Sequence, residues 1–319
     1  MGSLLNVTFG NATEIIISLS AISANLFTFV KASITGSILG NILLIFGLSI
    51  LAGGIKHKEQ HFGRENISIQ SSMLLLALIV LAVPTILSLT SSAIPFHGKP
   101  ELIENNKELQ IVSLLLAIIL MIVYIASLFF TFVTHKHLFT YPALQYHEEN
   151  PIEKDKEQTN KESLQKSWSK KKSFVILTFS IICVAIISEI LVGSVESTAK
   201  EIGLGQVFIG AVIVGVIGNA AEHASAIMLS FKNKLELSIG IATSSGTQVA
   251  LFIAPITILS GFLLGKPFTL VFTLFEIVTL FLATMILKWI SSDGKSNWFE
   301  GVVLIAVFIV FAIGFFFVG

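Results

Sequence analysis

Charge is scarce in this chain. Asp, Glu, Lys and Arg supply 13% of its 319 residues, about half the share of a soluble domain, and twenty acids cancel twenty bases. With no net charge and its basic residues dispersed, the sequence offers no face for nucleic acid. Its one cysteine, Cys183, excludes an intrachain disulfide, lacks metal-ligand spacing and reads as a small packing residue. Short alternating segments of a membrane β-barrel are missing, and no Ser, His and acid fall at positions that suggest a hydrolytic triad, so no enzyme is expected. Met1 leads almost directly into an apolar stretch without a basic leader, which argues against a secretory signal.

What fills the chain instead is apolar: 54% of residues are hydrophobic and the mean hydropathy is +0.86. A helix crosses a hydrocarbon core of about 30 Å with roughly 20 residues. Nine segments are long enough, near 3–24, 32–55, 68–92, 108–134, 174–199, 206–231, 237–263, 268–290 and 298–318. The expected fold is an all-α polytopic membrane protein, with the lipid bilayer as its partner. A polar stretch divides it into a first half over 1–134 with four spans, a linker loop over 135–173, and a second half over 174–319 with five spans. Glu148, Glu149, Glu153, Asp155, Glu157 and Glu162 mix with lysines in that linker; a solvated loop is the plain reading and cation sensing the alternative. Counting Lys and Arg alternately across the spans puts fifteen on one side and five on the other. Because cytoplasmic loops retain positive charge, the N-terminus and the linker are expected inside and the C-terminus outside.

Two copies of one phrase interrupt this apolar background: Gly10-Asn11-Ala12-Thr13-Glu14 and Gly218-Asn219-Ala220-Ala221-Glu222-His223. A carboxylate at mid-bilayer costs about 2.5–3.5 kcal/mol on insertion scales, so a matched pair points to a site. The match continues downstream. Ser37 follows Glu14 by 23 residues and Ser244 follows Glu222 by 22, and Asn41 and Gln248 each lie four residues further on. Five spans separate the copies, an odd offset that inverts one relative to the other, as in many secondary transporters.

Gly before Asn weakens an apolar helix, and the span is expected to open there. Freed carbonyls, an Asn oxygen and a carboxylate then form a hard-oxygen set suited to calcium, which takes six to eight oxygens, rather than to zinc. Two carboxylates neutralise a divalent ion, and protons compete for the same oxygens. His223 tunes Glu222 or shuttles protons on one reading and makes an interhelical hydrogen bond on the other. Ser37, Asn41, Ser244 and Gln248 divide between a ligand shell and interhelical packing. Glu189 and Glu196, seven residues apart on one helix, and Glu276 in a later span are candidates for an ion path or for structural hydrogen bonds. The Gly36-x-x-x-Gly40 spacing fits close helix packing without establishing a dimer.

At these residues the sequence resembles the calcium/proton antiporters, the cation/proton exchanger branch of the calcium/cation antiporter superfamily. The resemblance rests on Leu4 through Glu14, Lys31-Ala32-Ser33 through Asn41, Ser188 through Glu196, and Gly218 through His223. Neither phrase carries the Pro-Glu typical of sodium/calcium exchangers, which favours protons over sodium as counter-ion. The resemblance implies two pseudo-symmetric five-helix halves, Glu14 and Glu222 as the central cation and proton carboxylates, and Asn11, Asn219, Ser37, Asn41, Ser244 and Gln248 around them. It further implies calcium and protons as transported substrates, no cofactor, a bacterial cytoplasmic membrane, and the 174–199 helix as a moving element. The first helix of the first half is expected to be missing, and an uncovered groove beside Glu14 would support that truncation. A transport-inactive truncated homologue or membrane scaffold is the alternative function.

Overall fold

The computed structural model describes residues 10–90, 100–135 and 170–318. Residues 3–9 of the first expected span, Lys99 and nearly all of the 135–173 linker lie outside the described residues.

The described chain is helical because long runs of Leu, Ile, Val and Phe leave the backbone to satisfy its polar groups internally. α1 is Ala12–Ser23; α2 (Phe27–Leu39) runs through a π-helical turn, Gly40–Ile45, into α3 (Phe46–Lys56). After the two-residue strand β1 (Gln60–His61) come α4 (Arg64–Thr90), the short α5 (Pro100–Glu104), and α6 (Lys107–Phe129), which ends in a π-helical turn, Phe130–Thr134. α7 is Lys170–Ile202. α8 (Gln206–Phe208), a π-helical turn (Ile209–Val214) and α9 (Gly215–Ile217) meet α10 (Ala220–Phe231) at a bend of 52°. α11 (Leu235–Gln248) passes through a fourth such turn, Val249–Ile253, into α12 (Ala254–Leu263). α13 (Leu274–Ile290), β2 (Lys295–Ser296) and α14 (Trp298–Val318) complete the chain, and β1 pairs antiparallel with β2.

The repeat is plain in the backbone. α1 and α10 are each 12 residues long and each begins after an Asn. Each also leads into an Asn in the left-handed region, Asn25 at φ 60° and Asn233 at φ 59°, a conformation Asn tolerates at helix ends. Both are then followed by a long helix carrying a π-helical turn at the second polar position, with Asn41 inside its turn and Gln248 just before its own.

Cross-links between distant segments show that the copies run in opposite directions. At one end of the bundle Lys266 donates to the Ser23 carbonyl and Lys31 pairs with Glu104. At the other, Gly63 N–H donates to Glu236 and Gln60 pairs with Ser296. α1 therefore finishes at the first end and α10 at the second, as the odd span offset requires.

Fewer helices than nine are long and apolar enough to cross a membrane unaided. Among the described residues there are six, or seven when the bent pair α8–α10 counts as one. Two expected spans give shorter helices, each for a local reason. α1 starts only at Ala12, behind Asn11. α13 has 17 residues because the expected span 268–290 opens with an extended segment, not a helix. Thr273 then starts α13 with a reciprocal cap to Glu276.

That segment, residues 266–273, is buried over 268–272, and its backbone groups find side chains instead of a helical ladder. Thr269 N–H donates to Glu104, Leu270 N–H to Ser113 and Phe272 N–H to Thr85, while Lys31 donates to the Val271 carbonyl.

The best buried span is α2–α3, which crosses the 206–217 segment with the two backbones in contact. A Cβ on Gly36 would collide with the Ala211 carbonyl, and one on Gly215 with the backbone of Gly36. The Gly36-x-x-x-Gly40 spacing is thus used inside the chain.

Candidate functional site

Both phrases start their helices in one way. Asn11 (φ −96°, ψ 18°) and Asn219 (φ −102°, ψ 16°) precede α1 and α10 with almost identical backbone angles. Glu14 and Glu222 consequently occupy the third position of their helices, in the first turn, where backbone N–H groups lack intrahelical acceptors. The expected opening of the span is realised at the second copy, where the helices on either side of the break meet at 52°, and Asn11 repeats the backbone angles of Asn219.

The Asn side chains then reach across to the other repeat. Asn11 Nδ2 donates to Gln248 Oε1 at 2.7 Å, and Asn219 Nδ2 donates to Ser37 Oγ at 3.2 Å. Asn41 Nδ2 donates to the Ser37 carbonyl at 2.8 Å, holding the helix turn that presents that hydroxyl. Each half thus positions polar groups for the other half's broken helix.

Glu14 is 7% exposed, and neither carboxylate oxygen makes a hydrogen bond to another described residue. Asn219 and Glu222 lie near enough to act on its charge, and a Cβ on Gly218 would stand 3.8 Å from Glu14 Oε1. A cavity of about 10 Å³ adjoins it, lined among others by Ser18, Ser33, Ser37 and Gly218, with room for one water-sized occupant. A bare carboxylate so placed is expensive unless a proton or a cation meets it. Among the described residues no three His, Cys, Asp or Glu side chains cluster, so a cation here is held by at most two carboxylates with neutral oxygens completing its shell.

Glu222 is partly buried. One stripe of its helix, Ala221, Ala224, Ser225 and Met228, is exposed, whereas α1 is covered by α7. Among the described residues the open face therefore lies beside Glu222, and Glu14 is covered. The physical reason is the inversion: the leading helix of one half packs on the acidic helix of the other. His223 is buried on a different face, with Ala226 and Ser230 toward α3, and its Nε2 has no hydrogen-bond partner among the described residues.

The remaining sequence candidates separate. Glu276 is 2% exposed but fully engaged, accepting from Thr273 N–H and Oγ1 and from Thr35 Oγ1, which is a structural cap. Glu189 and Glu196 stand on the exposed face of α7, away from its buried Ser188, Val192 and Val195. Ser244 is partly buried and bonds its own helix at Ile241, and it lines a second, larger cavity together with Gln248. Sequence reasoning overlooked Ser18 and Ser33. The signal was present, because each lies four residues from a recognised position, Glu14 or Ser37.

Residues 1–133 and 172–317 match the family described as sodium/calcium exchanger protein. Over 318 residues the chain is 40% identical to a Ca(2+)/H(+) antiporter of Aphanothece halophytica, covering 99% of this chain and 82% of that protein. It is 39% identical to the Ca(2+)/H(+) antiporter ChaA of Bacillus subtilis, covering 99% and 83%. The solved structure of native YfkE superposes with a TM-score of 0.78 at 36% identity, over 99% of this chain and 83% of that one.

Proposed function

The chain belongs to the sodium/calcium exchanger protein family, and from that premise we propose that it is a secondary active transporter exchanging calcium for protons by alternating access. The observation that carries this reading is the buried Glu14 carboxylate without a hydrogen-bond partner among the described residues, facing the second phrase at Gly218 and Asn219. Such a group is stable when it holds a proton or shares a divalent cation with Glu222, and costly when bare. Protons and calcium then compete for one set of oxygens. If the bare pocket cannot reorient while either loaded form can, competition becomes exchange.

In this reading Glu14 and Glu222 bind the transported calcium and protons. Asn11, Asn219, Ser37, Asn41 and Gln248 form the supporting shell, and the polar groups linked across the repeats keep the two halves in register. α7 is the proposed moving element, because it is the least buried of the long helices and touches the core chiefly through α1. The lysine-rich end, with the 135–173 linker, is assigned to the cytoplasm of a bacterial cell on the alternation of Lys and Arg.

Calcium uptake into proteoliposomes under an imposed pH gradient tests the proposal, with a sodium gradient as control. Glu14→Gln and Glu222→Gln are each expected to lose pH-driven uptake by at least a hundredfold while purifying as folded protein. Wild-type rates in either variant, or uptake driven by sodium without pH dependence, would overturn it.

A further inference from the structure

A second cavity, about 310 Å³, lies along α11 between α4 and α6. About 10–15 Å³ of such space admits one water, so there is room for a hydrated ion. On α11, Glu236, Gly240, Ser244 and Gln248 line it, and they recur every four residues. They form one stripe on the helix, roughly 18 Å long at 1.5 Å per residue.

Each level of the stripe has a distinct character. Glu236, partly buried, is at the lysine-rich end, where its Oε1 accepts from Gly63 N–H at 3.2 Å. It is the only carboxylate lining the cavity among the described residues. Near that end Asn66 also faces the cavity, and its buried Oδ1 has no hydrogen-bond partner among the described residues. At Gly240 nothing stands within 4 Å of where a Cβ would sit, so the path is open at mid-length. Toward the far end Gln248 accepts the hydrogen bond from Asn11, three residues before Glu14.

We propose that this cavity is an aqueous access path along which a hydrated divalent cation passes from the lysine-rich end to the Glu14 site, with Glu236 as the carboxylate that collects it. A groove filled by a lipid chain needs no carboxylate, hydroxyl and amide at successive levels, whereas an ion sheds and regains water ligands most cheaply along such a line. Glu236 also supplies negative charge where surrounding lysines would repel a cation. The inference rests on the calcium-transport reading for the identity of the cation, though not for the water in the cavity.

The test uses the full chain in proteoliposomes with Cys183→Ser as background. Gly240→Cys is expected to react with a membrane-impermeant, positively charged thiol reagent added to the lysine-rich side only, and millimolar calcium to slow that reaction at least fivefold. Gly240→Leu should cut calcium exchange at least tenfold with Gly240→Ala near wild type, and Glu236→Gln should raise half-saturating calcium several-fold, most at low salt. Reaction of the introduced thiol with a lipid-soluble maleimide alone would identify a lipid-filled groove and overturn the proposal, as would wild-type exchange in Gly240→Leu. Labelling requires no transport, so a wild-type protein that failed to exchange calcium for protons would sink the transport reading and leave the labelling result readable.

Discussion

Two buried glutamates show what a side chain's partners decide at the residue scale. Glu276 and Glu14 are both less than a tenth exposed, yet Glu276 accepts hydrogen bonds from Thr273 and Thr35 while Glu14 accepts none from the described residues. The first is spent on starting a helix and the second is left available for an occupant. Replacing Glu276 with Ala is therefore expected to cost about 1–2 kcal/mol of stability, read as a lowered unfolding temperature in detergent, with transport per folded molecule retained. Equal loss of transport in Glu276→Ala and Glu14→Gln would show that the distinction is mistaken.

At the element scale the decisive contact is the crossing of α2 over the 206–217 segment. Gly36 lies against the Ala211 backbone and Gly215 against Gly36, so neither partner can yield by rotating a side chain. Gly36→Val is expected to destabilise by at least 1–3 kcal/mol, with a reduced monodisperse fraction in size-exclusion chromatography. Because α2 presents Ser37 to Asn219, exchange should fall along with stability. A fully stable Gly36→Val protein would mean that the helices do not cross at this point.

For the whole molecule, the non-helical segment 266–273, buried over 268–272, ties together α2, α4, the α5–α6 region and α13 through side chains acting in place of a helical ladder. Lys31, 6% exposed, pairs with Glu104 and also donates to the Val271 carbonyl. Lys31→Met strands a largely buried carboxylate and should cost about 3–5 kcal/mol. Adding Glu104→Gln should recover part of that loss, since an amide oxygen still accepts from Thr269 N–H. Thermal unfolding of the wild type, the two single variants and the double variant checks the coupling.

The sequence by itself determined the local features: apolar runs that become helices, the two Gly-Asn breaks, and the nearly matched spacing of Glu14, Ser37 and Asn41 with Glu222, Ser244 and Gln248. These were legible because helix formation, helix breaking and insertion cost depend on residues close together in the chain. Only the tertiary structure decided which groups meet. The Asn11–Gln248 bond joins residues 237 apart, Lys31 finds Glu104, and the open groove falls beside Glu222 instead of Glu14. It likewise decided that residues 268–273 are extended although their apolar composition suits a helix, because side chains from other elements offer their backbone better partners than a helical turn would.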